Sequence, residues 1–190
     1  FDMLSEEEKK IACDELNEMI VKNGFHLNTG FLSTYELLHV LTDYGHGDTA
    51  WKLMLQDTYP GWLYQLKYDA TTVWENWKGM EAGREPKDSM NHYSFGTFAG
   101  WLMDRVAGIR VEKGKIRIQP HPDRQIGYVK ASYDSPFGKI KSSWEYEGEN
   151  CRIKVEIPAN AHAEILLPDG SCHEADYGKY EYVIMENKHE

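Results

Sequence analysis

Glu75 stands between two indoles, in the run Ala70-Thr71-Thr72-Val73-Trp74-Glu75-Asn76-Trp77. Rings on both sides of a carboxylate keep water away and penalise its charged form, which raises the pKa. A carboxyl tuned in this way exchanges protons near neutral pH and suits general acid–base work. The same rings can shape the wall of a sugar site. A blander reading is a surface glutamate between two structural tryptophans, and a run this short fits both. His92, in Asn91-His92-Tyr93-Ser94-Phe95-Gly96, comes just before a predicted helix. There it can hydrogen-bond a ligand hydroxyl, or it can satisfy the open amides of the helix start. His26, His39 and His46 fall on separate segments without metal-ligand spacing, so neither a metal nor a cofactor is assigned. The sequence has no glycine loop of the phosphate-cradling kind and no nucleophile elbow.

The elements that must position these residues change character along the chain. Ser5 with Glu8 fits a capping box that opens a helix through Ile11, Leu16, Ile20 and Val21, closed by Gly24. Ser33 with Glu36 repeats the pattern for a helix carrying Tyr35, Leu37, Leu38, Val40 and Leu41 up to Gly45. Asp48 is expected to cap a third helix through Ala50, Leu53, Met54 and Leu55. A short helix is predicted around Trp62–Leu66, and a last one from near Ser94 through Phe98, Trp101, Leu102 and Val106. Between those two, Thr71 to Tyr93 reads as a structured loop; loops of that length inside compact domains are usually functional or disordered, and Trp74, Trp77, His92 and Tyr93 argue against an idle solvated linker. After about Ala107 the period switches to two. Strands are predicted at Ile109–Val111, Lys115–Ile118, Tyr128–Tyr133, Lys139–Tyr146, Cys151–Ile157, His162–Leu167 and Tyr180–Met185. Turn chemistry at Ser135-Pro136-Phe137-Gly138, Glu147-Gly148-Glu149-Asn150 and Pro168-Asp169-Gly170 separates several of them. Short strands at this spacing describe an antiparallel sandwich. The organisation is α+β: a helical region, then a small β domain.

A hydrophobic share of 41% with 27% charged residues is that of a globular chain, which excludes a disordered one. Twelve Tyr and six Trp point to bulky packing or to flat platforms for ring-shaped ligands. The formal charge of −10, with no basic stripe, excludes a phosphate-backbone partner, so no nucleic acid is expected. No apolar run approaches bilayer length, and no membrane partner is expected either. Cys13, Cys151 and Cys172 match no zinc template and read as reduced thiols, with a Cys151–Cys172 bridge the one alternative their placement allows.

Several motifs, taken in order, resemble the bacterial α-L-rhamnosidases, glycoside hydrolase family 78. They are Thr29-Gly30-Phe31-Leu32, Leu41-Thr42-Asp43-Tyr44-Gly45, Tyr59-Pro60-Gly61-Trp62, the Ala70–Trp77 run, Asn91–Gly96, Ile118-Gln119-Pro120-His121-Pro122 and Ala131–Gly138. The resemblance implies an α+β multidomain architecture: the late helices of an (α/α)6 barrel over residues 1–107, then a C-terminal β-sandwich over 108–190. It implies inverting hydrolysis of terminal α-L-rhamnosides, and hence L-rhamnose-containing oligosaccharides or glycosides as partners. In such a reaction one carboxylic acid protonates the leaving oxygen while a second carboxylate, roughly 6.5–9.5 Å away, activates water. By position, Glu75 resembles the general base and His92 the substrate-binding histidine. Trp74 and Trp77 belong to the same substrate site, as buttresses of the base rather than sugar platforms. The sequence departs from the family at Gly61, where a serine is expected, and at Asn76, where an arginine is common. The acidic, Arg- and Trp-containing motif that carries the family's general acid has no counterpart here. The chain therefore reads as a carboxy-terminal piece of such an enzyme, expected to be inactive alone. Helix faces such as Leu37, Leu38 and Leu41 are also expected to be exposed, driving self-association or a partial collapse of the helices onto the sandwich. Two other functions fit the same residues. One is a carbohydrate-binding sandwich using Tyr133, Phe137, Trp144 and Tyr146; the other is an (α/α)6 glycosidase with a different sugar preference.

Overall fold

The computed structural model describes residues 3–79 and 87–185. The chain divides into two compact units, Phe1–Ala99 and Gly100–Glu190. No helix among the described residues is long and apolar enough to cross a membrane.

The first unit is built on helices α1 (Glu6–Lys22), α2 (Phe31–Asp43) and α3 (Gly47–Met54). Helix α1 opens on the predicted capping box: Glu8 N donates to Ser5 Oγ at 3.3 Å, and Ser5 N donates to Glu8 Oε2 at 2.8 Å. The other two caps differ from expectation. Helix α2 begins two residues before Ser33, with Gly30 as its N-cap, because Thr34 Oγ1 donates back to Gly30 O at 2.8 Å and meets Thr29 Oγ1 at 2.7 Å. Helix α3 has His46 as its N-cap, which leaves Asp48 within the first turn, where its charge complements the helix dipole. Leu37, Leu38 and Leu41 are buried at 5% exposure or less, which corrects the expectation that they form an open face. They lie on the side of α2 that packs against α3, which itself buries Ala50, Trp51 and Leu53. The large apolar side chains left open on these helices, among the described residues, are Ile11, Met19 and Val21 on α1, with Phe31, Leu32 and Tyr35 on α2.

A 3-10 turn at Leu63–Tyr68 follows, and the predicted last helix is present in three geometries. It runs as 3-10 turns over Ser94–Thr97, a short α4 (Phe98–Trp101), and a π-helical turn over Leu102–Val106. Changes of this kind along one helix are typical of segments where packing overrides the regular hydrogen-bond ladder.

The second unit is a sandwich of two four-stranded sheets. One has the order β1-β2-β6-β7, from β1 (Ile109–Glu112), β2 (Lys115–Ile118), β6 (Ala163–Leu166) and β7 (Cys172–Ala175). The other has the order β3-β4-β5-β8, from β3 (Tyr128–Ser135), β4 (Gly138–Glu147), β5 (Asn150–Ile157) and β8 (Gly178–Met185). Strand β7 is an addition to the predicted set. One pair, β2 with β6, is parallel, because the whole β3-β4-β5 meander intervenes between them and the chain returns by a long crossover. Alternation fills the core from both sheets: Ile116, Ile118, Ala163 and Ile165 from one, Ile140, Trp144, Ile153, Val155 and Ile157 from the other. Two polar groups enter this core with partners. Ser142 Oγ donates to Ala107 O at 2.6 Å, and Trp144 Nε1 donates to Val106 O at 2.8 Å. On the opposite face of the second sheet, cross-strand charges alternate, as in Lys141 paired with Glu156 at 3.0 Å. All three cysteines are free thiols, Cys151 inside and Cys172 outside, so the bridge between them does not form.

Candidate active site

The 3-10 turn ends at Asp69, whose left-handed backbone (φ 53°) reverses the chain and starts the loop. From there two arms run side by side. Thr72 Oγ1 donates to Met90 O at 2.5 Å, and His92 N donates to Val73 O at 2.8 Å. Glu75 N donates to Ser89 O at 2.9 Å, and Asn76 Nδ2 donates to Asp88 Oδ2 at 3.2 Å. This zipper brings Glu75 and His92, seventeen positions apart in the sequence, onto neighbouring arms of one loop. It also gives the departure at Asn76 a local role, since its side chain joins Asp88 and accepts from Lys78 N at 2.9 Å.

Glu75 is half-buried. Its Oε2 accepts the backbone N–H of Ser89 at 2.9 Å, and the other carboxylate oxygen takes no hydrogen bond from the described residues. One oxygen is therefore held by the loop, and the other is free of hydrogen bonds from the described residues. No cation among the described residues pairs with the carboxylate.

The two indoles do not form a wall on either side of it. Trp74 is 2% exposed and Trp77 8%, and both turn into the interior. Trp77 stacks on Phe95 with centroids 3.8 Å apart, meets Trp62 edge-on at 5.4 Å, and donates its Nε1 proton to Thr29 O at 2.9 Å. Trp74 lies against Gly79, where an added Cβ would fall 1.9 Å from the ring, so only a glycine fits there. Here the tryptophans anchor the loop from the interior, while Glu75 is only half-buried. Gly61, the other departure, has a similar cause: a Cβ at that position would fall 2.5 Å from Gln56 O.

The His92 ring is held between Phe31 (5.0 Å, 15°) and Tyr93 (5.1 Å, 14°). Its Nδ1 accepts from Ser94 N at 3.3 Å. An imidazole that accepts at Nδ1 carries its proton on Nε2, so the ring both satisfies the helix start and presents a donor. The helix-start reading of this histidine holds. Ser89, which orients the carboxylate, had no signal in the sequence; Phe31, which holds the imidazole, lies in the Thr29–Leu32 motif but was not singled out for the site.

Elsewhere, a depression of about 650 Å3 lies on the β1-β2-β6-β7 sheet and includes Arg110, Lys115, Arg117, His162, Glu164 and Glu174 in its lining. Arg117 pairs with Glu164 at 2.7 Å. His162 bridges Asp176 and Glu174, which hold its pKa above the ordinary histidine value. Of the four sandwich aromatics named as a platform, Trp144 is 1% exposed and Tyr146 lies under Arg124. Tyr133 and Phe137 are left at the surface.

Residues 1–106 match the bacterial alpha-L-rhamnosidase 6 hairpin glycosidase domain, and residues 114–180 match the bacterial alpha-L-rhamnosidase C-terminal domain. An alpha-L-rhamnosidase of Formosa agariphila is 38% identical over 175 residues, covering 88% of this chain and 19% of that protein. One from Streptomyces avermitilis is 34% identical over 167 residues, covering 84% and 16%. Among solved structures, the S. avermitilis alpha-L-rhamnosidase complexed with L-rhamnose superposes with a TM-score of 0.88 at 29% identity, covering 96% of this chain and 20% of that one. The native Aspergillus terreus enzyme superposes at 0.89 with 28% identity, covering 95% and 22%. The chain thus spans about a fifth of the length of these proteins.

Proposed function

Because the chain belongs to the bacterial α-L-rhamnosidase family, we propose that it supplies the general base and part of the sugar site of an enzyme that hydrolyses terminal α-L-rhamnosides with inversion. Residues 1–107 contribute the last helices of the (α/α)6 barrel, and residues 108–190 the sandwich. The observation that carries this reading is the state of Glu75: half-buried, unpaired with any cation among the described residues, one oxygen held by Ser89 N–H and the other open. Such a carboxylate can take a proton from a water molecule as its oxygen attacks the anomeric carbon. The bond from that carbon to the glycosidic oxygen breaks, and the leaving oxygen receives a proton from a second carboxylic acid. That acid belongs to the part of the complete protein that lies outside this chain. Trp74 and Trp77 serve the site by holding the loop, and Nε2–H of His92 donates to a rhamnose hydroxyl.

The direct test compares the complete protein with the isolated chain on an aryl α-L-rhamnoside, with the product anomer followed by NMR. The complete protein is expected to release the β-anomer first. The isolated chain is expected to show no turnover above background, since it holds one carboxylate of the pair. Enzyme-like rates from the chain alone, or release of the α-anomer first, would contradict the proposal.

His92→Ala in the complete protein is expected to lower kcat/KM roughly 10–100-fold, the loss typical of a desolvated hydrogen bond left without one partner. Much of this loss is expected in transition-state binding. An unchanged kcat/KM would remove His92 from the sugar site.

A further inference from the structure

We propose that Gln65 is the positioning residue that fixes the direction of Glu75, acting through the Val73–Trp74 peptide group, one link before the one that leads into it. This rests on Glu75 being the general base. Gln65 lies in the 3-10 turn Leu63–Tyr68 and is 4% exposed, one of few polar side chains in the interior of the first unit. It grips the loop at two points. Its backbone carbonyl accepts from Ala70 N at 3.4 Å, and its side-chain Oε1 accepts from Trp74 N at 3.2 Å.

The second contact matters because of how the arms are zipped. Val73 O and Glu75 N both face the arm that carries Ser89 and His92. On an extended chain successive peptide groups point in alternate directions, so Trp74 N–H faces away from that arm and needs an acceptor on the other side. Gln65 supplies it. Only the carboxamide oxygen can meet an N–H, so the orientation of the amide is decided by this contact. The consequence is that Gln65 Nε2 is buried without a partner among the described residues. A methionine of the same length would fill the space without burying an unpaired donor, but it could not hold Trp74 N–H. The acceptor is what glutamine contributes here. With it the Val73–Trp74 peptide group is held from both sides, by Gln65 at its N–H and by His92 N at its carbonyl; without it the chain entering Glu75 can pivot about the Ser89 contacts.

The test uses the complete enzyme with Gln65→Met, Gln65→Glu and, in parallel, Glu75→Gln. Small displacements of a reacting group cost rate more than binding. Gln65→Met is therefore expected to lower kcat about tenfold, with KM changed less than about twofold and the folded fraction, followed by circular dichroism, unchanged. Gln65→Glu keeps an acceptor for Trp74 N–H and is expected to return kcat to within about threefold of the parent. A Gln65→Met enzyme with kcat within about twofold of the parent per folded molecule would overturn the proposal, as would a Gln65→Glu enzyme as impaired as the methionine variant. Should one variant fail to fold, the kcat of the other decides. The parallel variant separates the two ideas. A fully active Glu75→Gln enzyme removes the base assignment itself, whereas an inactive one beside an unimpaired Gln65→Met removes only the positioning role.

Discussion

Replacing Glu75 by glutamine in the complete protein is expected to cut kcat by roughly 10²–10⁴, the usual span for a general base. The substitution is well suited to the site. A carboxamide oxygen can still accept the Ser89 N–H that Glu75 Oε2 accepts at 2.9 Å, so the side chain should keep its place. The two chains differ in one property, the ability to take a proton. KM should change little, because the oxygen that faces the reactant is retained in shape. Steady-state kinetics on an aryl α-L-rhamnoside, with circular dichroism to confirm the fold, gives the answer. A variant with near-parental kcat would exclude Glu75 from the role and leave the loop with a purely structural carboxylate.

The largest loss of stability is expected at Trp144. This indole is 1% exposed in the middle of the sandwich, opposite Ile153 on the neighbouring strand, and it donates to Val106 O at 2.8 Å. Trp144→Ala removes a large buried ring, which costs about 3–5 kcal/mol. It also leaves a buried carbonyl unsatisfied, at about 1–3 kcal/mol more. Trp144→Phe keeps most of the volume but loses the N–H donor, and should fall between the parent and the alanine variant. The order parent, phenylalanine, alanine in the denaturation midpoint is the expected outcome. Equal midpoints for alanine and parent would show that the sandwich does not depend on this ring.

What the sequence made legible follows how local each signal is. The Ser5–Glu8 box is a matter of four adjacent residues, and it formed as expected. The same four-residue pattern at Ser33 and Glu36 was outcompeted by Thr34, whose hydroxyl reaches Gly30 O and starts the helix earlier. Alternation of residue types located seven of the strands; β7, where Cys172, His173 and Glu174 are exposed and Ala175 is buried, carried no period to read. The late-barrel and sandwich architecture was read from motif resemblance and agrees with the matched domains. Within the candidate site, the Glu75 run was singled out by residue type, but nothing in it reported which way its indoles turn. Trp74 and Trp77 flank Glu75 along the chain, yet they anchor it from the interior. The groups that orient it, Ser89 N–H and the Gln65 carboxamide, are fourteen and ten positions away and act through backbone hydrogens that no residue-type pattern reports.

The zipper between the two arms has an evolutionary consequence. Because Val73 is tied to His92 and Glu75 to Ser89, the spacing of base and imidazole is set by rungs at the foot of the loop and not by the length of chain that joins the arms. Loop closure grows only as the logarithm of length, about 0.6 kcal/mol per doubling. Residues can be gained or lost between the arms at little thermodynamic penalty, while Glu75 and His92 keep their spacing.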